Sequence, residues 1–395
     1  MNFRRIKDLK GLKNKTVLVR ADFNVPIKDG EVADNFKIKK GLPTLEYLIG
    51  KKAKVIVVTH LGRPDGYNAK FSLKPVQKEL GRLLKKNIDL LDVRNWDQVV
   101  QKTGCLSAGD VTLLDNIRFI KGEEQNSRFV SKKLASLADV FVLDGFAVAH
   151  RDASSVSGVA KYLPAYAGLL FAEEIKTLSE LLKKPKKPFV VILGGAKMET
   201  KIPVLKNLLA IADRILLGGG IINTYLWASG CKVGDSIVSK DFKKQALKYC
   251  SKKKVIMPVD LIVGRENGEY AHARKVNKKL DLKKGMGIYD IGPETIKLYA
   301  KYIKSAQTLV WNGAVGHFEQ HPYQYGTYSI ARLVAARSKG KAVGICGGGE
   351  TVEVLEKLNL SDDIDLVSTG GGAMLEFLSG KNLPGVKAVR KSKFF

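Results

Sequence analysis

Phe189-Val190-Val191-Ile192-Leu193-Gly194-Gly195-Ala196-Lys197, with Lys201 four residues further on, is the stretch from which the fold is read. Five apolar residues in a row, without polar alternation, predict a strand buried on both faces, as in a parallel sheet covered on each side. The glycine pair ends the strand and lets the backbone approach a bulky ligand. Lys197 and Lys201, at i and i+4, are expected to share one face at the start of a helix, within reach of a phosphoryl group.

The same unit recurs outward in both directions. Short apolar runs lie at 16–20, 55–60, 111–115 and 140–144 before this stretch, and at 215–217, 255–258, 308–311, 342–345 and 366–368 after it. Stretches with helical spacing separate them. This alternation predicts an α/β protein of two doubly wound, Rossmann-like parallel-sheet domains joined by a hinge helix. The expected divisions are an N-terminal domain at 1–165, a hinge helix and linker at 166–188, a C-terminal domain at 189–380 and a tail at 381–395. The tail's docking place is open between solvent and the N-terminal domain. The hinge helix carries Ile175, Leu178, Leu181 and Leu182, then stops at Lys183-Lys184-Pro185-Lys186-Lys187-Pro188, because proline cannot continue it.

A chain of 395 residues has room for two cores, and 45% hydrophobic residues mark it as globular. No apolar stretch reaches membrane-span length, and no signal-peptide core follows the basic start. The four cysteines are far apart with no C-x-x-C pair. That argues against a disulfide framework or zinc site and leads us to expect a cytoplasmic protein. The net charge of +28 suggests a polyanion partner, but its distribution does not. Residues 1–200 hold 36 Lys and Arg against 22 Asp and Glu, and residues 201–395 hold 31 against 17. Nucleic-acid binders concentrate charge on a stripe or tail, so the expectation is at most non-specific electrostatic contact.

Two kinds of site are sorted into the two halves. Before residue 194 no two glycines are adjacent, whereas later come Gly218-Gly219-Gly220, Gly347-Gly348-Gly349 and Gly370-Gly371-Gly372. The first half instead ends its strands in Arg20, Asp22 and Asn24, in His60 and Arg63, in Arg118, and in His150 and Arg151. Guanidinium groups bind phosphate and carboxylate in bidentate fashion, so these residues predict a pocket for a small anion. The glycine loops opening helices predict backbone cradles for a nucleotide, with Glu350 placed to hold a magnesium ion. Taken singly, each arginine is as well explained by a surface ion pair, and each lysine by an exposed face. The chain contains neither a G-x(4)-G-K-[ST] loop nor a complete G-x-G-x-x-G, which leaves a P-loop enzyme or a nicotinamide-dependent dehydrogenase unsupported.

The set closely resembles the phosphoglycerate kinase family, from about Val17 to Val386. The motifs that carry the resemblance include Arg20-Ala21-Asp22-Phe23-Asn24-Val25-Pro26, Thr59-His60-Leu61-Gly62-Arg63-Pro64, Gly194-Gly195-Ala196-Lys197 with Lys201, Asp290-Ile291-Gly292-Pro293, Trp311-Asn312-Gly313 and Ser368-Thr369-Gly370-Gly371-Gly372-Ala373. The resemblance implies reversible, Mg2+-dependent phosphoryl transfer between 1,3-bisphosphoglycerate plus ADP and 3-phosphoglycerate plus ATP. It implies direct in-line transfer on domain closure, by a monomer. Carried over residue by residue, it places Asp22, Asn24, Lys37, His60, Arg63, Arg118 and Arg151 on the glycerate substrate. On the nucleotide it places Gly195, Ala196, Lys197, Lys201, Gly218, Gly219, Gly220, Asn312, Glu319, Gly347, Gly348, Gly349, Glu350 and Thr351. The implied catalytic set is Lys37, Lys197, Lys201, Gly348 and Gly371.

Three positions depart from the family pattern. Lys37 stands where the family has a catalytic arginine and lacks the planar fork. Glu350 replaces the magnesium-binding aspartate, and His317 replaces a small apolar residue. Lys37 and Glu350 motivate an alternative, a catalytically weakened homologue acting as a binding or scaffold protein.

Overall fold

The computed structural model describes residues 3–277 and 280–390. Two compact units emerge. One takes in the residues up to Ser179 and those from Asn382 onward; the other runs from Glu180 to Lys381. The division falls inside the helix Leu169–Lys183.

The first unit is built on six strands: β1 (Thr16–Arg20), β2 (Lys54–Val58), β3 (Asp89–Leu91), β4 (Val111–Leu114), β5 (Val140–Leu143) and β6 (Ala165–Ala167). They lie in the order β3-β4-β2-β1-β5-β6 and all pair in parallel. β1, β2, β4 and β5 are rich in Val, Ile and Leu, and their central residues are buried because helices cover both faces. Ile38, Leu45 and Leu48 of the helix Phe36–Gly50 supply part of that cover. The chain runs outward from β1 on one side and crosses to β5 on the other. The crevice at the carboxyl end of β1 is therefore a topological switch point, where open α/β sheets bind ligands. The helix Pro384–Ala388 docks on this unit through Gly385 N–H, which donates to the Ala149 carbonyl at 2.8 Å, while Arg4 N–H donates to Val389 at 3.0 Å.

The second unit repeats the plan with β7 (Phe189–Leu193), β8 (Arg214–Leu217), β9 (Val255–Ile256), β10 (Thr308–Asn312), β11 (Val343–Gly347) and β12 (Leu366–Ser368). The order is β9-β8-β7-β10-β11-β12, again parallel throughout. The reversal lies between β7 and β10. Register places Leu193 beside Asn312, Asn312 beside Gly347 and Gly347 beside Ser368. The loops after these strands therefore open at one edge. A three-stranded antiparallel sheet of His272–Lys275, Asp260–Gly264 and Gly287–Ile291 supplements this unit. Among the described residues no helix is long and apolar enough to cross a membrane.

Candidate active site

In the first unit the loops after β1, β2, β4 and β5 converge. Arg20, the last residue of β1, is buried. Its Nε donates to Ser155 Oγ at 2.8 Å and one terminal nitrogen approaches His60 Nδ1 at 3.3 Å. A guanidinium has no lone pair to offer, so Nδ1 must accept and the imidazole proton sits on Nε2. Burial, reinforced by the Arg20 charge, pushes the His60 pKa well below its usual value and keeps the ring neutral. Asp22 is buried as well. Burial opposes its ionisation, but Lys37 and Arg20 outweigh burial and hold the carboxyl below its ordinary range. The Lys37 ammonium lies 2.7 Å from Asp22 Oδ2.

Gly62 ties two further residues to this group. Its N–H donates to Asn24 Oδ1 at 2.9 Å and its carbonyl accepts from Arg118 at 2.5 Å. The residue has φ +60, and an added Cβ would come 2.3 Å from the Phe71 ring. Only glycine therefore serves there. Arg118, Arg151 and Arg20 line a cavity of about 260 Å³ with Glu123, Glu124 and His150. Burial lowers the Arg118 pKa, and the nearby Arg151 and Arg63 add to the effect while Glu124, 2.9 Å away, opposes it. Like charges crowded in this way oppose one another's ionisation. Arg63 is exposed and lies outside the cavity wall.

The second unit holds a larger cavity, about 780 Å³, beside the β7–β10 reversal. Gly195, Ala196, Gly219, Gly220, Glu319 and Glu350 line it, as does His317. Gly195 has φ +89, and a Cβ there would meet Glu350 Oε2 and Lys201 Cε at 3.3 Å each. The bare backbone thus runs between a carboxylate and an ammonium. Glu350 Oε2 accepts from Ala314 N–H at 3.1 Å. Burial pulls the Lys201 ammonium down to about 8, although Glu350 works against this. Lys201 donates to Asn312 Oδ1, and Asn312 Nδ2 donates to the Gly347 carbonyl at 2.7 Å.

The expected shared helix face of Lys197 and Lys201 is corrected by this geometry. Lys197 is the extended residue before the helix Met198–Ile211, and it is exposed, whereas Lys201 within the helix is buried. The i, i+4 relation requires both residues to have helical backbone, and the turn after Gly195 leaves Lys197 outside it. Lys197, Lys201, Gly218, Asn312, Gly347, Gly348, Gly349 and Thr351 do not line the cavity. Thr351 is fully buried, and its Oγ1 accepts from Gly313 N–H at 2.8 Å, so it braces the loop after β10. Gly348 has φ +102, and an added Cβ there would come 3.2 Å from Asn312 Nδ2, while Gly349 and Gly371 open the helices Gly349–Lys357 and Gly371–Leu378. His317 lies 3.9 Å from Glu319 and its ring centroid 6.1 Å from that of Tyr289, which stacks on Tyr323 at 4.7 Å.

Sequence comparison agrees with this architecture. The phosphoglycerate kinase family profile matches residues 6–381. This chain belongs to the phosphoglycerate kinase family. It is 44% identical over 386 residues to the phosphoglycerate kinase of Leptospira biflexa, covering 96% of each chain. It is 41% identical over 397 residues to that of Borreliella afzelii, covering 99% of this chain and 100% of the relative. Among solved structures, phosphoglycerate kinase from Coxiella burnetii matches with a TM-score of 0.85 at 39% identity, over 98% of both chains. The Pyrococcus horikoshii enzyme matches with a TM-score of 0.84 at 30% identity. Nothing in these comparisons favours the scaffold alternative.

Several members of the two pockets escape sequence reasoning. Glu123 sits in Lys121-Gly122-Glu123-Glu124, which looks like an exposed charged turn. It is in fact buried and accepts from Ser155 N–H at 3.0 Å and Ser155 Oγ at 2.5 Å, so Ser155 links it to Arg20. Tyr289 carries no local signal at all. Its place in the cavity wall comes from the antiparallel sheet.

Proposed function

We infer that the chain catalyses phosphoryl transfer between ATP and the carboxylate of 3-phosphoglycerate, reversibly, with one substrate on each unit. The carrying observation is the contrast between the pockets: a small arginine-walled cavity in the first unit and a larger glycine-lined one in the second. A carboxylate oxygen of 3-phosphoglycerate attacks the γ-phosphorus. A P–O bond to it forms, the bond to the β-phosphate oxygen breaks, and ADP leaves with the electron pair. No protein nucleophile is required, so the protein contributes alignment and charge neutralisation.

Arg118, Arg151 and Arg63 would hold the substrate phosphate, and Asp22, Asn24 and neutral His60 the hydroxyl and carboxylate. Lys37, now paired with Asp22, would turn to the transferring group once an anion enters. Lys197 and Lys201 would neutralise the nucleotide phosphates, with Gly348 and Gly371 offering backbone N–H groups. Direct transfer demands that the two reacting atoms reach bonding distance, so closure of one unit on the other is part of this proposal.

Magnesium is held chiefly by nucleotide phosphates in such reactions and needs only one or two protein carboxylates. Glu350 suits that role. Its carboxylate lines the cavity, and among the described residues only its Oε2 is engaged, by Ala314 N–H. When bound, the ion would screen charge on the phosphates, and Glu350 would be the residue that holds it. Glu350→Gln should raise the magnesium concentration needed for half-maximal rate.

The deciding experiment couples the reaction of 3-phosphoglycerate and MgATP to a dehydrogenase that consumes the acyl phosphate. Turnover is expected. A folded protein that binds both substrates calorimetrically without turnover would favour the binding-only alternative.

A further inference from the structure

The first unit contains another sizeable cavity, about 760 Å³, away from the arginine pocket's main wall. Its sides come from three separated pieces of chain: Arg4, the segment from Asp152 to Ala165, and the helix Pro384–Ala388 with Arg390. Its charge is lopsided. Among the described residues, Lys161 and Lys387 line it together with Arg4 and Arg390, against one carboxylate, that of Asp152. That carboxylate is already committed, accepting from Asn126 Nδ2 at 2.8 Å and from Ser157 Oγ. Lys161 and Lys387 are exposed, and among the described residues neither forms an ion pair. The same lining also includes the apolar residues Leu163, Pro164, Ala165, Pro384 and Ala388, with Tyr162.

Each half of this lining excludes a simple occupant. A bare hydrated anion gains nothing from the apolar strip, and an uncharged apolar molecule gains nothing from gathered cations. The volume is that of a small-molecule site, with concave shape, apolar lining and a few charged groups. The geometry points to a binding site for a small organic anion, phosphate or carboxylate groups carried on an apolar body, separate from both substrate pockets. The cations hold the anionic groups and the strip from Leu163 to Ala165 meets the body.

The probe is 8-anilinonaphthalene-1-sulfonate, titrated by fluorescence into the full chain with 3-phosphoglycerate and MgADP saturating. Filling the substrate pockets first matters because Asp152 also borders the arginine cavity. Expected is saturable binding of one probe per chain. Lys161→Glu with Lys387→Glu should weaken it by about tenfold or more, whereas Lys161→Arg with Lys387→Arg should preserve it, and both pairs should keep the wild-type turnover. Three results would each overturn the assignment: no saturable binding with the substrate pockets filled, unchanged affinity in the Glu pair, or equal binding of uncharged N-phenyl-1-naphthylamine.

Discussion

At Lys201, burial and function pull in opposite directions. Its ammonium, lowered to about 8 by burial, begins to lose its proton just above neutrality in the free protein. A bound nucleotide polyphosphate favours the charged form, so affinity is greatest below that value and declines as pH rises through it. MgADP affinity, measured by calorimetry, should fall about tenfold between pH 7 and pH 9, and Lys201→Arg should flatten the profile. Arg118 offers a contrast, since it stays charged throughout. Its removal costs a charge-assisted hydrogen bond of about 1.5–3 kcal/mol. Arg118→Ala should raise the KM for 3-phosphoglycerate and leave that for MgATP nearly unchanged in steady-state assays. Lys37, 2.7 Å from Asp22, makes only point-charge contact. Lys37→Arg restores the fork and should raise kcat by roughly fivefold, about 1 kcal/mol. A lower kcat would mean that the pocket around Asp22 has adapted to lysine. The arginines and glycines of both sites are legible in sequence because they sit next to strands that announce themselves. Glu123 is not, since its burial is made by Ser155 from a distant loop.

Among the elements, those with long apolar runs follow from pattern alone. Thr16–Arg20 and Phe189–Leu193 have the expected bounds. The edge strands Asp89–Leu91 and Ala165–Ala167 do not, being three residues long with no continuous apolar run that marks them. His272–Lys275 is exposed throughout, and its pairing with Asp260–Gly264 supplies the structure that its own residues do not suggest. The next helix depends on the same strand. Asp260 accepts from Thr295 N–H at 2.7 Å and Glu294 N–H at 3.1 Å, capping the helix Pro293–Ser305 from outside its own sequence. Gly292, in the capping position, leaves room for that carboxylate. Asp260→Ala removes the carboxylate partner of the two backbone donors and of Thr295 Oγ1, and should cost about 2–3 kcal/mol. The urea midpoint followed by Trp227 and Trp311 fluorescence, both in this unit, reads the loss.

Over the whole molecule, each unit has its own sheet, core and pocket, so ligand linkage should be local. MgADP at about 100 times its Kd should stabilise the second unit by about 2.7 kcal/mol, and 3-phosphoglycerate should act on the first. Differential scanning calorimetry with each ligand alone would show which transition moves. The charge of +28 is spread over both units and predicts weak DNA binding that collapses between 50 and 200 mM salt, a steepness set by released counterions. The sequence by itself determined two parallel-sheet units and the arginine and glycine loops at their strand ends, because strand period, glycine and arginine act locally. Tertiary structure alone decided which loops meet. It brought Asn24 and Arg118 to opposite sides of Gly62, set Lys201 against Asn312, and left Lys197 exposed outside its helix. Those pairings depend on strand order and register, through which residues 38, 56 and 111 positions apart become neighbours.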